Sequence, residues 1–192
     1  MRLFIAVELE EKIKNAISLA IKKIKIDVLK PKWVNPENCH ITLKFLGEVE
    51  EKRLPEILDV LKDEALKHKP FIISFGEIGA FPKIDYPRVI WIGIEKGRDF
   101  LLQIANFLED SLFKIGFEKE KRGFSAHLTL ARIKEPFKTN CLSPYISKRF
   151  ISDEMPVKEI SLIESKLTPK GSIYTTIKSF LIAESEHDKY TA

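Results

Sequence analysis

The chain is poor in the residues that build cross-links and metal clusters. Its 192 residues include only two cysteines, Cys39 and Cys141. Neither belongs to a CxxC pair, so a structural zinc site or a dithiol redox centre has no basis here. Two incidental thiols in a reducing compartment is the plain reading. Long apolar runs are also missing. Nothing approaches the roughly 18 residues that cross a bilayer. The opening MRLFIAVELEEK meets charges after a five-residue apolar run, too short for a secretory leader. The expectation is a cytoplasmic chain without membrane attachment. There is no Walker A pattern and no glycine-rich dinucleotide loop, so ATP-driven chemistry lacks its phosphate cradle. Neither charge sign dominates: the net charge is +4 and the pI about 8.9. That balance permits an anionic substrate without demanding one.

What the chain does contain is a core and a repeat. With 44% hydrophobic and 31% charged residues it reads as globular. Its length suits one domain, or two small lobes sharing a core. His40-Ile41-Thr42-Leu43 and His127-Leu128-Thr129-Leu130 are 87 residues apart, and other segments keep that offset. Phe4-Ile5-Ala6-Val7-Glu8 falls on Trp91-Ile92-Gly93-Ile94-Glu95, Ile73-Ser74-Phe75 on Ile160-Ser161-Leu162, Glu77 on Glu164, and Pro82-Lys83 on Pro169-Lys170. One gapless offset relating a strand, a motif and a turn indicates duplication. The copies cover about 1–87 and 88–174, and a closing strand at 175–183 stands where a third copy would begin.

The local patterns agree. Alternation predicts strands over 2–8, 40–46, 71–78, 88–94, 127–133, 157–167 and 173–183. Apolar residues at helical spacing predict helices over 10–27, 51–67 and 98–115, with Pro55 tolerable in a first turn, and a weaker helix over 139–150. The fold expected is α+β and bilobal. Two antiparallel sheets flanked by helices hold the chain ends in one lobe and the middle in the other. The histidine strands face each other across a central cleft on a pseudo-twofold axis.

Alternate side chains of a strand share a face. His40 and Thr42 therefore point one way and Ile41 and Leu43 the other; His127 and Thr129 behave likewise. Doubling that polar face about a twofold axis makes two imidazoles and two hydroxyls converge. Phosphodiester cleavage needs a base to activate the nucleophile and an acid to protonate the leaving oxygen. Two imidazoles can be held in opposite protonation states near neutrality. Threonine hydroxyls can donate to nonbridging phosphate oxygens. A lone His-x-Thr in a strand is ordinary. Core positions drift among Ile, Leu and Val between the copies, whereas both His and both Thr are retained, which favours function.

These residues carry a family resemblance. RLFIAV, HITLKFLGEV, RVIWIGI, HLTLAR and SKLTPKGSIY together span nearly the whole chain. It resembles the RNA 2′,3′-cyclic phosphodiesterases, also called 2′-5′ RNA ligases, of the two-histidine phosphoesterase superfamily. Ala126 departs from the pattern, since many relatives have proline before the second histidine. The resemblance implies hydrolysis of a terminal 2′,3′-cyclic phosphate to a 2′-phosphomonoester, with His40 as proton donor and His127 as proton acceptor. The repeat alone leaves these two roles interchangeable. The partners expected are RNA ends, tRNA fragments among them. No third ligand is placed to make the histidines a metal site and a strained cyclic phosphate needs none to open, so no metal or cofactor is expected. Internal duplication removes one reason to dimerise, so a monomer is expected. Run backwards, the same site forms a 2′-5′ linkage. Two other readings stand beside it: a cyclic phosphodiesterase of nucleotide-derived metabolites, and a non-catalytic RNA-binding module.

Secondary candidates follow. Arg132 in HLTLAR suits a phosphate clamp. Strict alternation turns it away from His127 unless a bulge intervenes, and it takes the place of Phe45 in the first copy. Lys44 shares a face with His40 and Thr42 by alternation, although a solvated lysine is the commoner outcome. Tyr174, with Phe4, Trp33 and Phe124, could stack on a base; core packing is the default for each. His68, at a helix end, and His187, in the polar tail, read as surface residues.

Overall fold

The computed structural model describes residues 1–24, 26–146, 148–151, 153–169 and 171–182. His187 and the tail from residue 183 lie outside them, as does Lys170 of the Pro169–Gly171 turn. The chain runs β1 (Arg2–Glu8), α1 (Glu11–Lys23), β2 (Lys32–Trp33), β3 (His40–Glu48), α2 (Leu54–Ala65), β4 (Phe71–Ile73), β5 (Phe75–Lys83), β6 (Tyr86–Ile94), α3 (Arg98–Lys114), β7 (His127–Arg132), β8 (Met155–Val157), β9 (Glu159–Thr168) and β10 (Gly171–Leu181). The strands form two four-stranded sheets, β10-β9-β1-β3 and β2-β7-β6-β5, and a two-stranded ribbon, β4-β8. All of their pairings are antiparallel.

The bilobal expectation holds, with chain ends in one sheet and the middle in the other. The sheets are not simply one repeat each. β9, from the second copy, pairs with β1. Its counterpart β5, from the first copy, pairs with β6. Each copy therefore lends a strand to the other's sheet, and β2, also from the first copy, edges the second sheet against β7.

Helix packing follows the apolar spacing. α1 buries Ile13, Ile17 and Ala20, α2 buries Ile57, Leu61 and Ala65, and α3 buries Leu101, Ile104, Ala105, Leu108 and Leu112. Full burial of each large aliphatic contributes about 1.5–3 kcal/mol. These residues and the inner faces of both sheets form one continuous core, so the lobes are not independent. α3 stops at Gly116, whose φ of 91° lets it close the helix left-handed. Its N–H donates to the Phe113 carbonyl, and that of Phe117 donates to the Leu112 carbonyl.

Three expectations are corrected. No helix covers 139–150; Ser143–Tyr145 forms a single 3₁₀ turn. Thr139, Asn140 and Ser143 compete for backbone partners there, and Thr139 Oγ1 accepts from the Cys141 amide. The 71–78 strand breaks at Ser74, whose backbone bonds to Lys96 and Glu95, releasing β4 to pair with β8. Helix 10–27 ends at Lys23, and Asp27–Leu29 forms a separate turn.

Candidate active site

β3 and β7 carry the two His-x-Thr motifs and pack against each other across the two sheets, close enough for His127 to act on His40. In both copies the pairing slips by one residue just after the threonine. Ala6 pairs with Thr42 and Ile5 with Lys44, so Leu43 is the extra residue. Trp91 pairs with Thr129 and Ile90 with Ala131, so Leu130 is the extra residue. A bulge reverses the alternation beyond it. Leu43 and Lys44 are therefore both buried, as are Leu130 and Ala131.

The bulges decide two of the secondary candidates. Lys44 is corrected: it turns inward and is only 2% exposed. Its Nζ lies 2.6 Å from Glu109 Oε2 and donates to the Glu118 carbonyl at 2.8 Å. It braces β3 against α3 and the segment that follows, and it does not face the cleft. Arg132 moves the other way. The second bulge returns it to the face of His127 and Thr129, and its positive charge acts on both His127 and His40.

The histidines are held in the same way. His40 Nδ1 lies 2.9 Å from the Asn38 carbonyl and His127 Nδ1 lies 2.7 Å from the Ser125 carbonyl. A carbonyl only accepts, so each Nδ1 carries the hydrogen and each Nε2 is left for chemistry. Asn38 and Ser125 are themselves 87 residues apart, a signal the repeat offers but side-chain motifs do not. Burial pushes His40 down to about 4; the Asn38 hydrogen bond and Glu8 oppose this, while Arg132 and His127 add to it. His127 is also lowered, first by burial, with the Ser125 hydrogen bond opposing and Arg132 reinforcing.

Aromatic rings wall both sides. His40 lies 4.6 Å from the Phe4 ring and 5.2 Å, edge-on, from Tyr174. Phe4 belongs to a small apolar cluster with Ala6, Ile163 and Tyr174 beneath the site. Tyr174 lines a cavity together with His40, while Trp33 and Phe124 pack against the core. His127 lies 5.1 Å, edge-on, from Phe81 and 6.3 Å from Trp91. Trp91 lies flat over Gly79, where any Cβ would meet the indole at 2.1 Å. Phe81, Gly79 and Glu8 were not singled out in the sequence; Phe81 and Gly79 reach the site only through the strand exchanged between copies.

Cys39 is buried, its thiol pushed up to about 12 by that burial, and it packs against the Thr129 carbonyl. It is a filler between the motifs. His68 is not a free surface residue: its Nε2 lies 2.7 Å from the buried Glu64 carboxylate. Among the described residues no group of three or more His, Cys, Asp or Glu could hold a metal ion. No helix is long and apolar enough to cross a membrane.

The model of the LigT like Phosphoesterase family matches twice, over residues 7–91 and 92–174. The chain belongs to this family.

Similarity to individual LigT-like proteins is extensive. A protein of Archaeoglobus fulgidus named RNA 2′,3′-cyclic phosphodiesterase is 41% identical over 94% of this chain and 99% of its own. One of the same name from Methanocaldococcus jannaschii is 40% identical over 94% of this chain and 100% of its own. Among solved structures, TT0787 of Thermus thermophilus superposes with a TM-score of 0.83 at 30% identity, covering 97% of this chain and 100% of that one. E. coli LigT complexed with 3′-AMP superposes with 0.77 at 25% identity, covering 95% and 98%.

Proposed function

We propose that this LigT-like phosphoesterase opens the 2′,3′-cyclic phosphate at RNA ends to a 2′-phosphomonoester. One observation carries the reading: two histidines on contacting strands are tethered identically through Nδ1, and a single guanidinium acts on both imidazoles. In the forward reaction His127 Nε2 takes a proton from water, whose oxygen forms a new bond to phosphorus. The P–O3′ bond breaks, and His40 Nε2 protonates the leaving 3′ oxygen. Thr42 and Thr129 share the face of the histidines and donate to the nonbridging oxygens, while Arg132 balances the charge that develops on them. Each role falls to a side chain, and none requires a metal or cofactor. With an RNA 5′-hydroxyl in place of water, the reverse reaction gives a 2′-5′ linkage.

The pKa directions fit a site waiting for an anion. Lowered by burial and by Arg132, both imidazoles are neutral at pH 7. A phosphodiester anion offsets the Arg132 charge and raises them, so the acid gains its proton as substrate binds. The names of the relatives support RNA as the substrate; tRNA fragments are one source of such ends in this proposal. A monomer acting in the cytoplasm belongs to the same proposal, supported by the internal twofold and two free thiols.

The test is an oligoribonucleotide ending in a 2′,3′-cyclic phosphate, incubated with the protein and EDTA. The expected product is the 2′-phosphomonoester, identified by phosphorus NMR. Absence of turnover by the wild type would overturn the reading. Turnover confined to cyclic mononucleotides would favour a metabolite phosphodiesterase. Binding of RNA without turnover would favour a binding module.

A further inference from the structure

The duplication makes the histidines equivalent in sequence, but the sheets do not keep them so. In the first sheet Glu8 lies directly opposite His40. Glu95 occupies the equivalent place in the second copy, yet Gly93 lies opposite His127. The β6–β7 pairing has slipped by two residues relative to β1–β3. A two-residue slip preserves which face each side chain takes, so both histidines still enter the cleft. Only one keeps a carboxylate across the ladder. Glu95 instead pairs with Arg149 at the surface.

Glu8 is held toward the cleft. Thr176 Oγ1, on β10, donates to Glu8 Oε1 at 3.0 Å, and Glu8, His40, Tyr174 and Thr176 line one cavity. Lys14 of α1 lines it as well, but its Nζ is engaged by Glu11 at 2.8 Å and Glu37 at 3.2 Å. The charged groups around His40 are thus Glu8 from β1, Arg132 and His127 from β7, and the Lys14–Glu37 pair. Of the charges acting directly on the imidazole, Glu8 alone is negative.

We propose that Glu8 is a positioning residue that makes the two histidines unequal. Its carboxylate, fixed by Thr176, opposes the burial that strips His40 of its proton, so His40 can carry the proton it donates once substrate is bound, while His127 has no such carboxylate across its ladder. The catalytic consequence rests on the phosphodiesterase reading; the unequal sharing of the proton does not. Glu8→Gln keeps the acceptor for Thr176 and removes only the charge.

Histidine NMR titration of the free protein reads the proton directly. In Glu8→Gln the His40 midpoint falls by about one unit while that of His127 stays, and Glu95→Gln moves neither. During turnover of the cyclic-phosphate oligoribonucleotide, Glu8→Gln shifts the alkaline limb of the kcat profile to lower pH. Its acid limb and KM hold, and Glu8→Asp restores part of the shift. An unmoved His40 midpoint, or equal movement of both histidines, would overturn the proposal. If the wild type turns over no cyclic phosphate while His40 alone shifts, the substrate reading fails and the role of Glu8 stands.

Discussion

At the scale of single residues, the site trades stability for readiness. Both histidines are held below their ordinary range, His40 at about 4. The unfolded chain binds protons that the folded one refuses between pH 6.5 and 4, so folding stability is full above that window and falls through it. Urea unfolding at pH 7 and pH 4.5 should show the loss, and His40→Asn should shrink it. The same shifts place both limbs of the kcat/KM profile below pH 6.5, since that profile reports the free protein. An optimum above pH 7 would contradict the neutral pair. His40→Ala and His127→Ala should each lower kcat by about 10²–10⁴-fold. Arg132→Gln removes a positive charge beside both imidazoles, so their NMR midpoints should rise and KM should increase by about tenfold.

At the scale of elements, the two bulges set which side chains meet substrate. Most strands, the three long helices and the doubled His-x-Thr motif were legible, because periodicity and an 87-residue offset are properties of the string. The faces of Lys44 and Arg132 were not. Both depend on a ladder irregularity that alternation cannot foresee. Nor was Phe81 legible at His127, since it arrives on a strand lent by the other copy. Lys44→Ala removes one partner of a buried ion pair and should cost about 3 kcal/mol in denaturant unfolding, with kcat nearly unchanged. Gly79→Ala should push the Trp91 indole off its seat. The expected signs are a changed tryptophan fluorescence and a loss of about 1–3 kcal/mol.

At the scale of the whole molecule, the exchanged strands tie the lobes together. A fragment of residues 1–87 lacks β9, which covers one side of β1, and keeps β5, which has its partner β6 elsewhere. Such a fragment should be unfolded by circular dichroism. Mixing it with residues 88–192 should restore structure and turnover. The intact chain should unfold in one transition, since its core is continuous across both lobes.

The two-residue slip between the ladders also says something about ancestry. Two identical halves would carry two interchangeable histidines, a pair with no division of labour. An odd slip would bury one imidazole and destroy the centre. An even slip is the smallest step that lets one half specialise while both remain in service, so the pleat of a β-sheet restricts how a symmetric ancestor could become an asymmetric catalyst.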